Sequence, residues 1–93
     1  MLDSFIAITR QVIAEDGIGE FLPTLMFPDR DAVHVLEDAS DATSHEIEAV
    51  AWRAQMVPAG EDYVLAFRVN EDRFKIVGRV GGSEVDRLCA VVA

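Results

Sequence analysis

Three basic residues in the last third of the sequence have a spacing that could hold an anion. Arg68 lies near the end of one alternating apolar segment, and Lys75 and Arg79 lie in the next. If the segments are antiparallel strands joined by a turn at residues 71–72, all three side chains share one sheet face, with Arg68 opposite Lys75. Guanidinium and ammonium groups bind carboxylates and phosphates. The spacing therefore indicates a small anion-binding site, and solvated side chains on an ordinary sheet face are the alternative.

The other residues with chemical potential form no recognisable catalytic or metal-binding motif. His34 lies in the middle of a predicted strand and His45 at the start of a predicted helix, and neither has a second histidine at ligand spacing. Cys89 is the single cysteine, and no catalytic base adjoins it in the sequence, which favours a buried thiol. The sequence therefore predicts no metal and no cofactor, and it favours a non-enzymatic protein.

The second predicted helix carries two apolar stripes on opposite sides. An ordinary surface helix has one such stripe, which faces the core of the protein. We expect the stripe of Ile47, Val50, Ala51 and Ala54 to be the core stripe. The opposite stripe then consists of His45, Ala49, Trp52 and Met56.

Trp52 makes this second stripe a candidate binding surface. An indole buries about 150–250 Å², and an uncovered one creates a sticky patch on the protein surface. Tryptophan and methionine are enriched in the cores of protein interfaces. We therefore expect the stripe to bind a partner, most simply a second copy in a two-fold homodimer. Cover by the first helix or by the loop at residues 37–42 of the same chain is the alternative.

Local sequence signals divide the chain into two helices and five strands. Helices are predicted at about 3–16 and 44–56, and strands at 21–27, 32–36, 63–69, 73–80 and 85–92. Residues 1–93 should therefore form a single α+β domain with the order α-β-β-α-β-β-β. Its mostly antiparallel five-stranded sheet combines a hairpin with a three-stranded meander and is packed by two helices. In the meander, Phe67 is expected to lie opposite Ile76, because that register collects the large apolar side chains on one face.

The composition narrows the range of partners. Among 93 residues, 17 are acidic and 8 are basic, which gives a formal charge of −9, and 51% are hydrophobic. An acidic protein is a poor ligand for nucleic acid or for an anionic membrane. The chain shows no apolar run of membrane-spanning length and no signal-peptide pattern at its start. With one cysteine and no internal disulfide, the sequence predicts a cytoplasmic protein.

The predicted order of elements resembles the front part of a roadblock-type domain. The resemblance is one of element order and includes no shared motif. It implies homodimerisation through the middle helix and an adjacent strand edge. We therefore expect a non-enzymatic protein–protein interaction module that self-associates through the second helix. The alternative is a small domain, or an enzyme without a clear motif, that binds an anion or another ligand through the cationic face of the meander.

Overall fold

A computed structural model describes residues 2–30, 32–37 and 46–92, without the side chains of residues 46–48. It contains the predicted helices and strands in the predicted order. In chain order these are α1 (Leu2–Asp16), a 3₁₀ turn (Ile18–Glu20), β1 (Thr24–Phe27), β2 (Ala32–Val35), α2 (Glu46–Met56), β3 (Tyr63–Arg68), β4 (Arg73–Val80) and β5 (Ser83–Ala90). The α+β class is therefore confirmed. The predicted start of α2 at residue 44 lies outside the described residues.

The five strands form one sheet in the order β2-β1-β3-β4-β5, and all neighbours are antiparallel. The hairpin and the meander are both present, and the pairing of β1 with β3 joins them. Strands β2 and β5 are the two edges. None of the helices in the described part of the chain is long and apolar enough to cross a membrane.

Each helix packs on its own face of the sheet. The α1 face holds a core cluster that includes Ile6, Ile13 and Phe74, and the α2 face holds one that includes Ala49 and Phe67. Near the end of β5, the Arg10 Nε donates a hydrogen bond of 3.0 Å to the Ala90 carbonyl, which ties α1 to that strand. Because both faces are covered, the central strand β3 is buried on both sides.

The predicted register between β3 and β4 is wrong by one residue. Phe67 lies opposite Lys75 rather than Ile76, and Arg68 lies opposite Phe74. The connection accounts for the difference, because the Val69 and Asn70 amides both donate to the Arg73 carbonyl, at 3.1 and 3.3 Å. A slip of one residue moves every side chain of one strand to the other face of its partner. The prediction of one apolar face failed because this sheet has two.

Candidate functional site

The structure separates Arg68 from the other two predicted anion-binding residues. Arg68 lies buried on the α1 face, where its Nη1 donates to the Gly19 carbonyl at 3.1 Å. Lys75 and Arg79 lie on the α2 face, because they are directly opposite Phe67 and Tyr63, which belong to that face. The predicted cluster of three cations is therefore wrong, and the one-residue difference in register is its cause.

Lys75 and Arg79 have a different basic neighbour, Arg53 of α2. A groove of about 620 Å³ lies between α2 and strands β3–β5, and a smaller hollow of about 250 Å³ adjoins it. Arg53 and Tyr63 line both, Lys75 lines the groove, and Arg79 lines the hollow. We call the groove and its adjoining hollow, with these four residues, the cationic groove.

Within the cationic groove, Arg53 and Tyr63 are in direct contact. Arg53 Nη1 donates to the Tyr63 hydroxyl oxygen at 2.9 Å, and its guanidinium carbon lies 5.8 Å from the centre of the ring. This contact fixes both side chains at the boundary between the groove and the hollow. Sequence reasoning missed Arg53 because it is ten residues from Tyr63 and on another element. Only the packing of α2 on the sheet brings them together.

The acidic residues at the cationic groove differ in their partners, and Glu84 lies opposite Arg79 in the register of β4 and β5. Glu61 forms an ion pair with Arg30, and the Asp62 carboxylate accepts hydrogen bonds from the Gly81 and Gly82 amides. Lys75 Nζ lies 3.4 Å from Asp86, whose side chain is exposed. Among the described residues, no carboxylate lies within ion-pair distance of Arg53 or Arg79. These two guanidinium groups therefore retain N–H donors for another acceptor.

The second helix faces the sheet with the stripe that was predicted to face outward. Ala49 is 0% exposed, and Trp52 and Met56 are half-buried against the core cluster of the α2 face. Val50, Ala51 and Ala54 of the predicted core stripe are exposed instead. The predicted orientation is therefore wrong. The small Ala49 lets the helix approach the sheet closely, and the two larger side chains fill the space beside it. His45 lies outside the described residues.

A second candidate surface combines α1 with the edge strand β2. Four large apolar side chains are exposed on it: Ile8 (53%), Val12 (38%), Val33 (61%) and Val35 (46%). Phe5 connects the two elements, since it lines a shallow hollow together with Val33. Phe5, Ile8 and Val12 share one flank of α1 because they are three and four residues apart. We call these five residues the α1–β2 surface.

The α1–β2 surface was not predicted as a candidate, although the sequence contains a signal for it. The apolar stripe of α1 includes Phe5, Ile6, Ile8, Val12 and Ile13 and is wider than one helix can bury on a sheet. The sheet covers only the side of the stripe that carries Ile6 and Ile13.

Strand β2 offers an open backbone edge beside this surface. No strand in the described part of the chain pairs with its outer side. Its sequence, Ala32–Val35, contains neither proline nor a charged side chain, the two features that commonly protect an edge from pairing. On the opposite face of the strand, the His34 ring contacts the Phe27 ring edge-on, at 5.8 Å between centroids.

Among the described residues, no three His, Cys, Asp or Glu side chains are grouped closely enough to hold a metal ion. Cys89 is a buried free thiol, in agreement with the interpretation of the sequence. Comparison of the chain with protein-family models, with curated proteins and with solved structures gives no match. The resemblance to roadblock-type domains in element order therefore has no support beyond that order.

Proposed function

We propose that this protein is a non-enzymatic interaction module that forms a homodimer through the α1–β2 surface. The observation that carries the proposal is the group of exposed apolar side chains beside β2, whose outer side pairs with no strand in the described part of the chain. Exposed apolar patches of this kind are typical of interaction sites. We propose this surface instead of the second helix as the dimer interface, because Trp52 of that helix packs on the sheet of its own chain.

A second copy fits the edge of β2 because the strand is self-complementary. In a two-fold antiparallel pairing centred on His34, Val33 of each copy lies opposite Val35 of the other. Both apolar pairs then lie on the α1 face, beside Ile8 and Val12, which the second copy would cover. Cross-strand apolar pairs each stabilise a sheet by about 0.2–1 kcal/mol. The two sheets would continue into one of ten strands.

The other edge of the sheet is less suited to self-pairing. Strand β5 carries Glu84, Asp86 and Arg87. A two-fold antiparallel pairing of β5 that is centred on Asp86 would place the two Asp86 side chains opposite each other. A pairing centred on Arg87 would do the same with the two Arg87 side chains. Like charges in opposed positions are destabilising. Charged residues on an edge strand are a common protection against pairing. The charge pattern thus favours β2 over β5 as the site of self-association.

Analytical ultracentrifugation of Val33→Lys and Leu88→Lys tests the proposed dimer. Val33 and Leu88 are both 61% exposed and lie on opposite edge strands, so the two variants form a matched pair. The wild-type chain is expected to sediment at twice its 10.2 kDa mass, as is Leu88→Lys. Val33→Lys is expected to sediment as a monomer, because each copy would bury a lysine in the contact.

Two outcomes contradict the proposal. The first is a wild-type protein that remains monomeric at its highest soluble concentration, which would contradict dimerisation itself. A dimer that only Leu88→Lys dissociates, with Val33→Lys unaffected, assigns the contact to β5. Far-UV circular dichroism of each variant checks that the fold is retained.

A further inference from the structure

We infer that the cationic groove binds a small organic anion, with one carboxylate or phosphate group on an apolar body. The groove and its adjoining hollow bring together Arg53, Tyr63, Lys75 and Arg79 from one helix and two strands. Its volume of about 620 Å³ lies within the range of about 300–1,000 Å³ that is usual for small-molecule sites. This inference concerns the opposite face of the sheet and is independent of the proposed dimer.

The donors of the groove suit an anionic oxygen. Arg53 and Arg79 have no carboxylate partner among the described residues, and a guanidinium group binds carboxylate or phosphate through two parallel N–H bonds. The Tyr63 oxygen accepts a hydrogen bond from Arg53, so the Tyr63 O–H can act as a further donor to the anion. Among the residues that the structure describes, Lys75 forms an ion pair with the exposed Asp86, and exposed ion pairs contribute little to stability.

The lining of the groove also limits the charge and shape of the ligand. Apolar side chains of Val50, Phe67 and Val77 form part of the lining and suit a hydrocarbon or aromatic body. Glu84 and Asp86 line the β5 side, where they would repel a second anionic group. A ligand with a single anionic group therefore fits better than a polyanion such as a nucleoside triphosphate.

Titration calorimetry with phenylacetate, phenyl phosphate and inorganic phosphate tests the inference. The wild-type protein is expected to bind at least one of the two aromatic anions saturably, and the tighter of them identifies the anionic group. Inorganic phosphate is expected to bind at least about tenfold more weakly than the better aromatic anion, because it makes no use of the apolar lining. Added salt is expected to weaken binding, since the contacts are electrostatic.

Arg79→Met and Arg73→Met provide a matched pair for the same titration. Both remove one positive charge from β4, but Arg73 lies at the exposed start of the strand and does not line the groove. Arg79→Met is expected to weaken binding by at least about tenfold, and Arg73→Met to change it by less than about twofold. Tyr63→Phe keeps the ring and removes the hydroxyl, and it is expected to weaken binding severalfold.

Three results would overturn the inference. They are the absence of saturable binding of either aromatic anion, equal weakening by Arg73→Met and Arg79→Met, and equal affinity for inorganic phosphate and the aromatic anions. Val33→Lys is expected to bind the aromatic anions as the wild type does, because β2 and β5 are opposite edges of the sheet. Failure of the dimer and failure of the ligand site are thus distinguishable.

Discussion

Replacing Ala49 by glutamate is expected to unfold the domain, whereas the same replacement at Ala51 is expected to be tolerated. Ala49 has no exposed surface, so a glutamate there would bury an unpaired carboxylate or push α2 away from the sheet. The cost is several kcal/mol, and a small domain has a total stability of only about 5–15 kcal/mol. Ala51 is exposed, and surface substitutions usually change stability by less than about 0.5 kcal/mol.

Urea unfolding followed by circular dichroism measures both effects. The two variants carry the same new residue, charge and helix propensity on one helix, so they differ only in the face that is changed. Trp52 fluorescence gives a second probe, because the ring packs against the core cluster of the α2 face. A stable Ala49→Glu variant beside an unfolded Ala51→Glu variant would support the opposite orientation of α2.

The sequence could not decide the orientation of α2 because its two stripes are nearly equivalent in hydrophobicity. Hydrophobic periodicity identifies a helix and its apolar directions, but here it gives two. We predicted that the stripe with Ile47 and Val50 faces the core and that Trp52 faces outward, whereas Trp52 packs against the core cluster of the α2 face. The choice is made by the fit of the helix on the sheet, where Ala49 allows close approach. That fit depends on residues from β1 and β3, which are separate elements of the fold.

Local signals predicted the elements well, because the physics that forms them is local. Pro23 has no N–H to donate to a sheet, and the first strand, which was predicted from residue 21, begins after it at Thr24. The first helix ends at Asp16, as predicted, and Gly17 follows it with a positive φ of 87° that glycine tolerates. The second helix ends at Met56, as predicted, because Pro58 disfavours helical geometry at the residue before it. The pairing of β1 with β3 carries no such local signal, since it joins segments separated by a whole helix.

The same distinction applies to the candidate site. Lys75 and Arg79 were predicted to share a face because alternation within one strand is a local property. Their relation to Arg68 depended on the register with β3, which a single residue in the connecting loop reverses. Arg53 could not be added from sequence, because its contact with Tyr63 depends on the docking of α2. The order of elements was therefore predictable, whereas the membership of the groove was not.

Replacing Gly78 by alanine is expected to lower the free energy of unfolding by about 2–3 kcal/mol. Gly78 lies opposite Val64 in β3, in a buried position of the sheet. A Cβ atom there would overlap the Tyr63 carbonyl oxygen and would lie 3.1 Å from both the Tyr63 carbonyl carbon and the Val64 Cα. These are backbone atoms of a central strand, so the sheet must shift to admit the methyl group. The predicted register placed Arg79 opposite Val64. In the structure that position is occupied by Gly78, and the two strands approach too closely there for a residue with a Cβ atom.

Gly19→Ala is the control for this prediction, measured by the same urea unfolding experiment. Gly19 has no positive φ, and a Cβ atom there meets no atom within 4 Å. Alanine at such a position usually leaves stability unchanged or raises it by up to about 1 kcal/mol, because it restricts the unfolded chain. A Gly78→Ala variant that is also neutral or stabilising would contradict the close approach of β3 and β4 at this position. The register that places Lys75 and Arg79 on the α2 face would then lose its steric support, because a glycine would not be required opposite Val64.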